Sequence, residues 1–411
     1  MKKKLVREKE PNVKKLIQIN TVCNASTGKI MLDIQKRAEE EGYETLSLVG
    51  RGKLYQKMRC EKYGDFFSFW IHVGINTLFD RQGYGSYFTT KKLVKRLKEE
   101  KPDIIHLHNL HGYYLYLPEL FHYLSNEYEG KVFWTFHDCW PITGHCAYFT
   151  MANCDKWKEE CSNCPSKRQY PISLGLDASY KNYREKKKMF TQLRNLKIIV
   201  PSEWMKSIVK QSFMKDCSIE VINNGIDLEK FRYLPNKEVM QKYKISCEKK
   251  ILLGVAKVWD KRKGLEDFLE LSHRLSEEYQ IILVGLSKCQ IINLPSSIIG
   301  IPKMDSIADL VAIYSQSYIF INPSREESFS LVTVEAMACG TPVIALDTSA
   351  VKELICNENG IVLRRITCDD YLWAIEEIKN KNLTREKIRK TVEKYSCEIM
   401  LNKVMKLYKN G

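Results

Sequence analysis

Short apolar runs alternate with longer amphipathic segments along this chain, and the series starts twice. The first series is KLIQIN (15–20), TLSLVG (45–50), DIIHLHN (103–109), KVFWTFHD (131–138) and KIIVPS (197–202). Runs this short and apolar suit strands buried on both faces, and helical segments such as TTKKLVKRLKEE (89–100) lie between them. Strand and helix in alternation build a parallel sheet covered by helices. EVINNGID (220–227) then closes a strand in Asn-Gly turn chemistry, and a polar stretch runs to about Lys250. The second series is KILLGVAKV (250–258), QIILVG (280–285), SIIGI (297–301), YIFINPS (318–324), TPVIALD (341–347) and GIVL (360–363). Helices such as GLEDFLELSHRLSEE (264–278) and LVTVEAMACG (331–340) separate its runs.

At 411 residues the chain is too long for one ordinary core. The expected fold class is α/β, with two Rossmann-like, doubly wound domains facing each other across a cleft. The first is expected over 12–200, with a cysteine-rich insertion at 139–170, and the second over 201–385. Residues 386–411 are expected to form a helix that packs back on the first domain. Thr384 to Tyr408 reads as one basic amphipathic helix, with Ile388, Val392, Tyr395 and Ile399 at helical spacing. The carboxyl ends of the strands are the ligand side of each domain, so a ligand with two distinct parts suits the cleft.

The net charge of +15 suits nucleic acid, an anionic membrane face or phosphate-bearing small molecules, and does not choose among them. No run of eighteen apolar residues is present, so no membrane span is expected. The basic start MKKKLVREKEPNVKK lacks the apolar core of a signal peptide, and a cytoplasmic location is expected. In such a chain fourteen cysteines point to buried thiols or a metal site before disulfides.

The stretch Ile321 to Ala345, INPSREESFSLVTVEAMACGTPVIA, reads strand, loop, helix, turn, strand. Glu327 lies in the loop and Glu335 near the start of the helix, eight residues on. Backbone N–H groups near Phe329, Ser330 and Leu331 open that helix and favour a phosphate. Two carboxylates beside them can grip hydroxyls, which together suits a nucleotide sugar. A solvated loop before a helix with a first-turn Glu gives the same spacing. In GVAKVWDKRKGLEDF (254–268) a strand ends in a basic loop, where Lys257, Lys261, Arg262 and Lys263 crowd the turn before Gly264. Such cations neutralise charge on a leaving diphosphate, or simply face solvent.

EESFSLVTVEAMACGTPV resembles the E-x7-E motif of the family-4 retaining glycosyltransferases, which have the two-domain glycosyltransferase B architecture. VINNGID and YIFINPSREES are similar to further family segments. TFHDCWPITGHCAYF, DRQGYGS (80–86) and HLHNLHGYYL (106–115) resemble a subgroup from colanic-acid and capsule polysaccharide clusters. The resemblance implies that Glu327 holds donor-sugar hydroxyls, Glu335 the ribose, and Lys263 the diphosphate. The family's Arg before that Lys is missing. Lys257 aligns there only with one inserted residue, so Arg262 or Lys261 is the alternative partner, without Arg's fork in the case of Lys. Ser328 stands where the family has Gly.

In the first half, INTVCNASTGKIMLDIQKRAEEEGY (19–43) is strand, small-residue loop and helix. It fails as an ATPase motif, because Lys29 is followed by Ile30. It reads either as a simple turn or as a loop where donor approaches the backbone near Gly28, the position of the family's Gly-rich loop. His106, His108 and His111 read as acceptor-pocket wall, core or, with no carboxylate at ligand spacing, a three-His metal site. His137 ends a strand at the cleft, and the resemblance puts it beside the donor sugar. Asp138 orients it or the acceptor hydroxyl, unless the two form a structural pair. Cys146, Cys154, Cys161 and Cys164 follow C-x7-C-x6-C-x2-C, which leaves structural zinc, unmetallated thiols and disulfides open.

The implied reaction moves a sugar from a nucleoside diphosphate sugar to a saccharide or lipid-linked acceptor in bacterial surface polysaccharide biosynthesis, with retention. The leaving diphosphate helps deprotonate the acceptor, and no metal or other cofactor is needed for catalysis. Phosphate stabilisation, a grip on the sugar and exclusion of water are the physical requirements. Lys91, Lys92, Lys95, Arg96 and Lys98 suggest peripheral attachment to the inner face of an anionic membrane. A zinc-knuckle nucleic-acid-binding protein is a competing reading. Against it, the basic residues are dispersed and an acidic pair stands at the cleft, so no nucleic-acid partner is expected. A catalytically inactive homologue is a third reading, disfavoured by the presence of Glu327, Glu335 and Lys263.

Overall fold

The computed structural model describes residues 13–410 apart from Ala25 and Asp305. The basic start and the expected domain boundary at residue 12 lie outside the described residues. The first sheet is built from β1 (Lys15–Asn20), β2 (Glu44–Val49), β3 (Cys60–Lys62), β4 (Ile104–Leu107), β5 (Lys131–Thr135), β6 (Leu196–Val200) and β7 (Ser218–Val221). The second contains β8 (Lys250–Val255), β9 (Tyr279–Val284), β10 (Ile298–Ile301), β11 (Ile319–Asn322), β12 (Val343–Leu346) and β13 (Gly360–Leu363).

Their orders are β3-β2-β1-β4-β5-β6-β7 and β10-β9-β8-β11-β12-β13, with every neighbouring pair parallel. This is the expected pair of doubly wound α/β sheets. The winding reverses between β1 and β4 and again between β8 and β11. A ligand crevice opens outside the strand ends at such points. The central strands read as apolar runs because helices cover both faces; β4, for example, is buried along its whole length.

Two expectations need correction. The first domain does not end at residue 200, because the helix Glu203–Lys210 leads into β7, which pairs with β6 in the same sheet. Thr384 to Tyr408 is not one helix. The helices Arg385–Lys390 and Cys397–Asn410 are separated by a short turn at Glu393–Tyr395. The break follows from pairing with another segment, since Ile226 N–H donates to Tyr395 O at 2.9 Å and Cys397 N–H donates to Ile226 O at 2.8 Å. Ile388, Val392 and Tyr395 pack in the second domain, whereas Ile399 is 39% exposed. The edge strand β3 and the helix Phe66–Phe79 were also not foreseen.

The last helix crosses back to the first domain. Met400, Val404, Met405 and Tyr408 join a core with Leu16, Ile30, Ile104 and Phe133. The buried Tyr408 hydroxyl lies 2.5 Å from His106 Nδ1. Replacing a fully buried aromatic side chain by Ala costs about 3–5 kcal/mol. Tyr408→Ala should lower stability by about that amount in urea unfolding followed by Trp fluorescence, and Tyr408→Phe, which keeps the ring, by far less.

Candidate active site

A cleft of about 500 Å³ lies between the two sheets. His111, His137 and Asp138 line it from the first domain, and Lys257, Arg262, Lys263 and Glu327 from the second. Phe329, Ser330 and Leu331 complete that side.

His137 follows β5 and stacks on His108, with ring centroids 5.4 Å apart. Gln18 Nε2 donates to Met31 O at 2.8 Å, which leaves Gln18 Oε1 facing His108 Nε2 at 3.2 Å. His108 Nε2 therefore carries the proton, and its bare Nδ1 accepts from His137 Nε2 at 3.1 Å. The relay leaves His137 Nδ1 as an unprotonated acceptor. Asp138 accepts from His111 Nε2 at 2.7 Å and from Trp140 N–H at 3.0 Å. Burial raises the Asp138 pKa, but His111 and these bonds outweigh it and hold the carboxyl below its usual range. Asp138 thus pairs with His111, and the expected His137–Asp138 side-chain bond is replaced by His137–His108.

On the opposite wall Lys263 is ion-paired with Glu327. Burial raises the Glu327 pKa, yet Lys263 and Arg262 outweigh burial and keep the carboxyl below its usual range. Gly264 makes this pairing sterically feasible. Its φ is +71°, and a Cβ there would stand 2.7 Å from Pro323 Cβ and 2.8 Å from Pro323 O. The basic turn can therefore close onto the end of β11. Asp260 accepts from Lys263 N–H at 3.0 Å and fixes the turn.

The helix Leu331–Ala338 points its N-terminus into the cleft, and among the described residues no side chain caps it. Ser330 before it has φ +83°, an uncommon conformation for a residue other than Gly, held by bonds from Asn322 Nδ2 and to Thr333 Oγ1, both 2.9 Å. N–H groups and helix dipole at this position favour an anion.

Four expected site residues stand elsewhere. Gly28 packs against its own loop, since a Cβ would meet Cys23 C at 2.5 Å, and Ser26 and Thr27 face the cleft instead. His108 is buried behind His137 and His106 is bonded to Thr135 and Tyr408, so neither is an acceptor wall. Glu335 lies one turn along the helix from Leu331, where Tyr314 OH donates to it at 3.2 Å. Burial pushes its pKa up to about 7, against the Tyr314 bond and the nearby Lys29 charge.

Four cysteines of the insertion gather in one place. Cys146, Cys154, Cys161 and Cys164 line one small void, all as free thiols. Among the described residues no three His, Cys, Asp or Glu side chains are gathered to hold a metal ion. The Cys146 and Cys164 thiols face each other, whereas Cys161 Sγ accepts from Gly144 N–H at 3.3 Å. Other groups fix the insertion: His145 is bonded to Asp80, and Lys186 Nζ donates to Trp140 O at 2.8 Å and Thr143 O at 3.0 Å.

Several residues of the site were missed. Glu326 reaches across the cleft, where its carboxylate accepts from Phe149 N–H at 2.9 Å and Thr150 N–H at 2.7 Å. Arg262 lies 4.1 Å above the Tyr148 ring, and Ser328 Oγ donates to His137 O at 2.8 Å. The doubled Glu in SREES was the available signal for Glu326. Nothing in sequence spacing marks a contact across two domains.

Known proteins similar to this chain identify its family and fold. Residues 37–230 match the family described as Glycosyltransferase Family 4, and residues 236–395 match Glycosyl transferases group 1. The putative colanic acid biosynthesis glycosyl transferase WcaC of Escherichia coli (strain K12) is 22% identical over 96% of this chain and 99% of its own length. The N,N'-diacetylbacillosaminyl-diphospho-undecaprenol alpha-1,3-N-acetylgalactosaminyltransferase of Campylobacter jejuni is 28% identical over 46% of this chain and 49% of its own length. Among solved structures, Anabaena Alr3699/HepE in complex with UDP-glucose superposes with a TM-score of 0.67 at 14% identity, covering 97% of this chain and all of that one. At that identity the likeness establishes the fold, the glycosyltransferase B architecture.

Two outcomes follow from the cleft. Burial holds His72 and His106 neutral down to about 3 and His137 to about 4, and lowers His108 strongly as well. The unfolded chain takes up these protons near pH 6.5 and the native one does not. Their stabilising contribution is therefore full above about pH 6.5 and is lost as pH falls toward 4. Melting temperature, measured by calorimetry, should fall steeply over that window, and His72→Phe should flatten it. Separately, Glu326→Ala leaves two backbone N–H groups unpaired, at a cost of about 1–3 kcal/mol each. A lower melting temperature and a larger radius of gyration in X-ray scattering are expected.

Proposed function

This chain belongs to the glycosyltransferases, a family 4 domain followed by a group 1 domain related to colanic-acid and capsule enzymes, and from that premise we propose a retaining transfer from a nucleoside diphosphate sugar to a lipid-linked saccharide acceptor. The observation that carries the reading is the pairing of Lys263 with Glu327 beside an uncapped helix N-terminus, opposite His137. One wall offers cations and N–H groups for a diphosphate; the other offers neutral imidazole and a carboxylate.

In this reading Lys263 leaves Glu327 when donor binds and takes the diphosphate, with Arg262 and the helix N-terminus sharing its charge. Such groups act most strongly on charge that develops as the sugar bond breaks. Glu327, released, accepts from sugar hydroxyls. His137, neutral with a bare Nδ1, accepts from a sugar hydroxyl and orients the sugar, while the His111–Asp138 pair faces the acceptor. The departing diphosphate takes the acceptor proton on the face it leaves, which retains configuration. The relatives support the substrate classes. HepE was solved with UDP-glucose, and the Campylobacter jejuni protein is named for an undecaprenol-diphospho acceptor. Such an acceptor places the enzyme at the inner face of the membrane.

A thermal-shift panel of UDP-, GDP- and ADP-sugars should give one strong stabiliser. Lys263→Ala and Glu327→Ala should each lower turnover of that donor by about 10²–10³-fold, the loss typical of one charge-stabilising group. Circular dichroism should show both variants folded. No stabiliser in the panel, or full turnover in Glu327→Ala, overturns the reading.

A further inference from the structure

The helix Phe66–Phe79, FFSFWIHVGINTLF, is turned inside out. Its buried side chains are His72 and Asn76. His72 Nδ1 lies 3.0 Å from Ser86 Oγ, its Nε2 accepts from Gly83 N–H at 3.1 Å, and Asn76 Nδ2 donates to Ile172 O at 2.8 Å. The outward face carries Phe66, Phe67, Trp70, Ile71 and Leu78, between 55% and 77% exposed. At 100° per residue, Phe67, Trp70, Ile71, Gly74 and Leu78 fall on one side and His72 and Asn76 on the other. An apolar face exposed in this way is costly in water, and contiguous exposed apolar surface marks a docking site.

The face does not end with the helix. Leu174 N–H donates to Thr77 O and Leu176 N–H to Leu78 O, at 2.9 and 2.8 Å, which lays a second apolar strip alongside. Leu174 and Leu176 are 68% and 63% exposed. Ser68 Oγ meets Thr89 Oγ1 at 3.5 Å, so the start of the helix Tyr87–Glu100 adjoins the other end. That helix exposes Phe88 and then Lys91, Lys92, Lys95 and Lys98. Aromatic and aliphatic groups flanked by lysines are the composition of a surface seated in an anionic lipid interface. At 14 residues, about 21 Å, the helix is too short to span a bilayer and long enough to lie in its plane.

We infer that this face seats the enzyme on an anionic bilayer, with the apolar helix in the headgroup and acyl boundary and the lysines on lipid phosphates. The inference deepens the membrane reading above and rests on it for its purpose. A line of aromatic rings connects the face to the cleft. Trp70 meets Phe69 at 5.3 Å, Phe69 meets Tyr113 at 5.9 Å, and Tyr113 meets Tyr170 at 6.4 Å. Tyr170 OH lies 2.8 Å from His111 Nδ1 inside the cleft. The face is thus joined by packed rings to the wall where we place the acceptor.

The test is flotation of the full chain with vesicles of phosphatidylglycerol and phosphatidylcholine, and with phosphatidylcholine alone. The wild type should float with the anionic vesicles. Phe67→Ser with Trp70→Ser should weaken binding by about tenfold or more, with an unchanged melting temperature because both side chains are exposed. Lys91→Glu with Lys95→Glu should weaken binding to anionic vesicles by about tenfold and leave the neutral ones unaffected. A wild type that does not float, or aromatic variants that float as it does, overturns the inference. So does a wild-type dimer in sedimentation that the aromatic pair converts to monomer, which assigns the face to a second copy. Vesicle binding without turnover of any nucleotide sugar leaves the docking face standing and removes the proposed reaction.

Discussion

In a parallel sheet all strands end on the same side, and a doubly wound sheet reverses its winding once, so the backbone itself opens a crevice at that point. Two such sheets set with their crevices facing define the cleft of this protein before any side chain is chosen. The end of β5 delivers His137 and Asp138, the end of β8 leads to Lys257 and the basic turn, and the end of β11 delivers Glu326 and Glu327. The terminal helix depends on the same arrangement. It crosses from the second domain to the first and covers β1, β4 and β5 from behind.

Buried polar groups decide what the cleft contains. His137 has its proton position set three residues deep, through His108 to Gln18 and the Met31 carbonyl. Asp138 is used up by His111, and Glu327 by Lys263. Each carboxylate therefore has a cation or N–H partner that a ligand can displace. Glu326 is different. Its partners are backbone N–H groups of the cysteine-rich insertion, so it latches that insertion to the second domain. Two adjacent carboxylates thus have different partners, one a lysine at the cleft and one the backbone of the insertion.

The insertion is tied to the rest of the protein by Asp80, Lys186 and Glu326, and four of its cysteines come together at one small void. The helix Phe66–Phe79 departs from what its composition suggests. Its sequence is that of a buried helix, and the structure puts its two polar residues inside and its aromatics outside.

Most strand positions, the two-domain architecture and the basic and acidic members of the cleft were legible in the sequence, because parallel strands are short apolar runs and the residues that line the cleft follow them directly. Glu327, Lys263 and His137 could be found that way. The sequence alone did not reveal which residues meet across the cleft. Contacts such as Glu326 with Phe149, Ser328 with His137 O, or Tyr408 with His106 join positions 177, 191 and 302 residues apart. Local periodicity carries no information at that range. Nor can it say which face of an all-apolar helix is turned inward, because only the neighbours at Ser86 and Ile172 make His72 and Asn76 the buried side. Strand positions and chemistry were written locally; pairing, protonation and exposure were decided by packing.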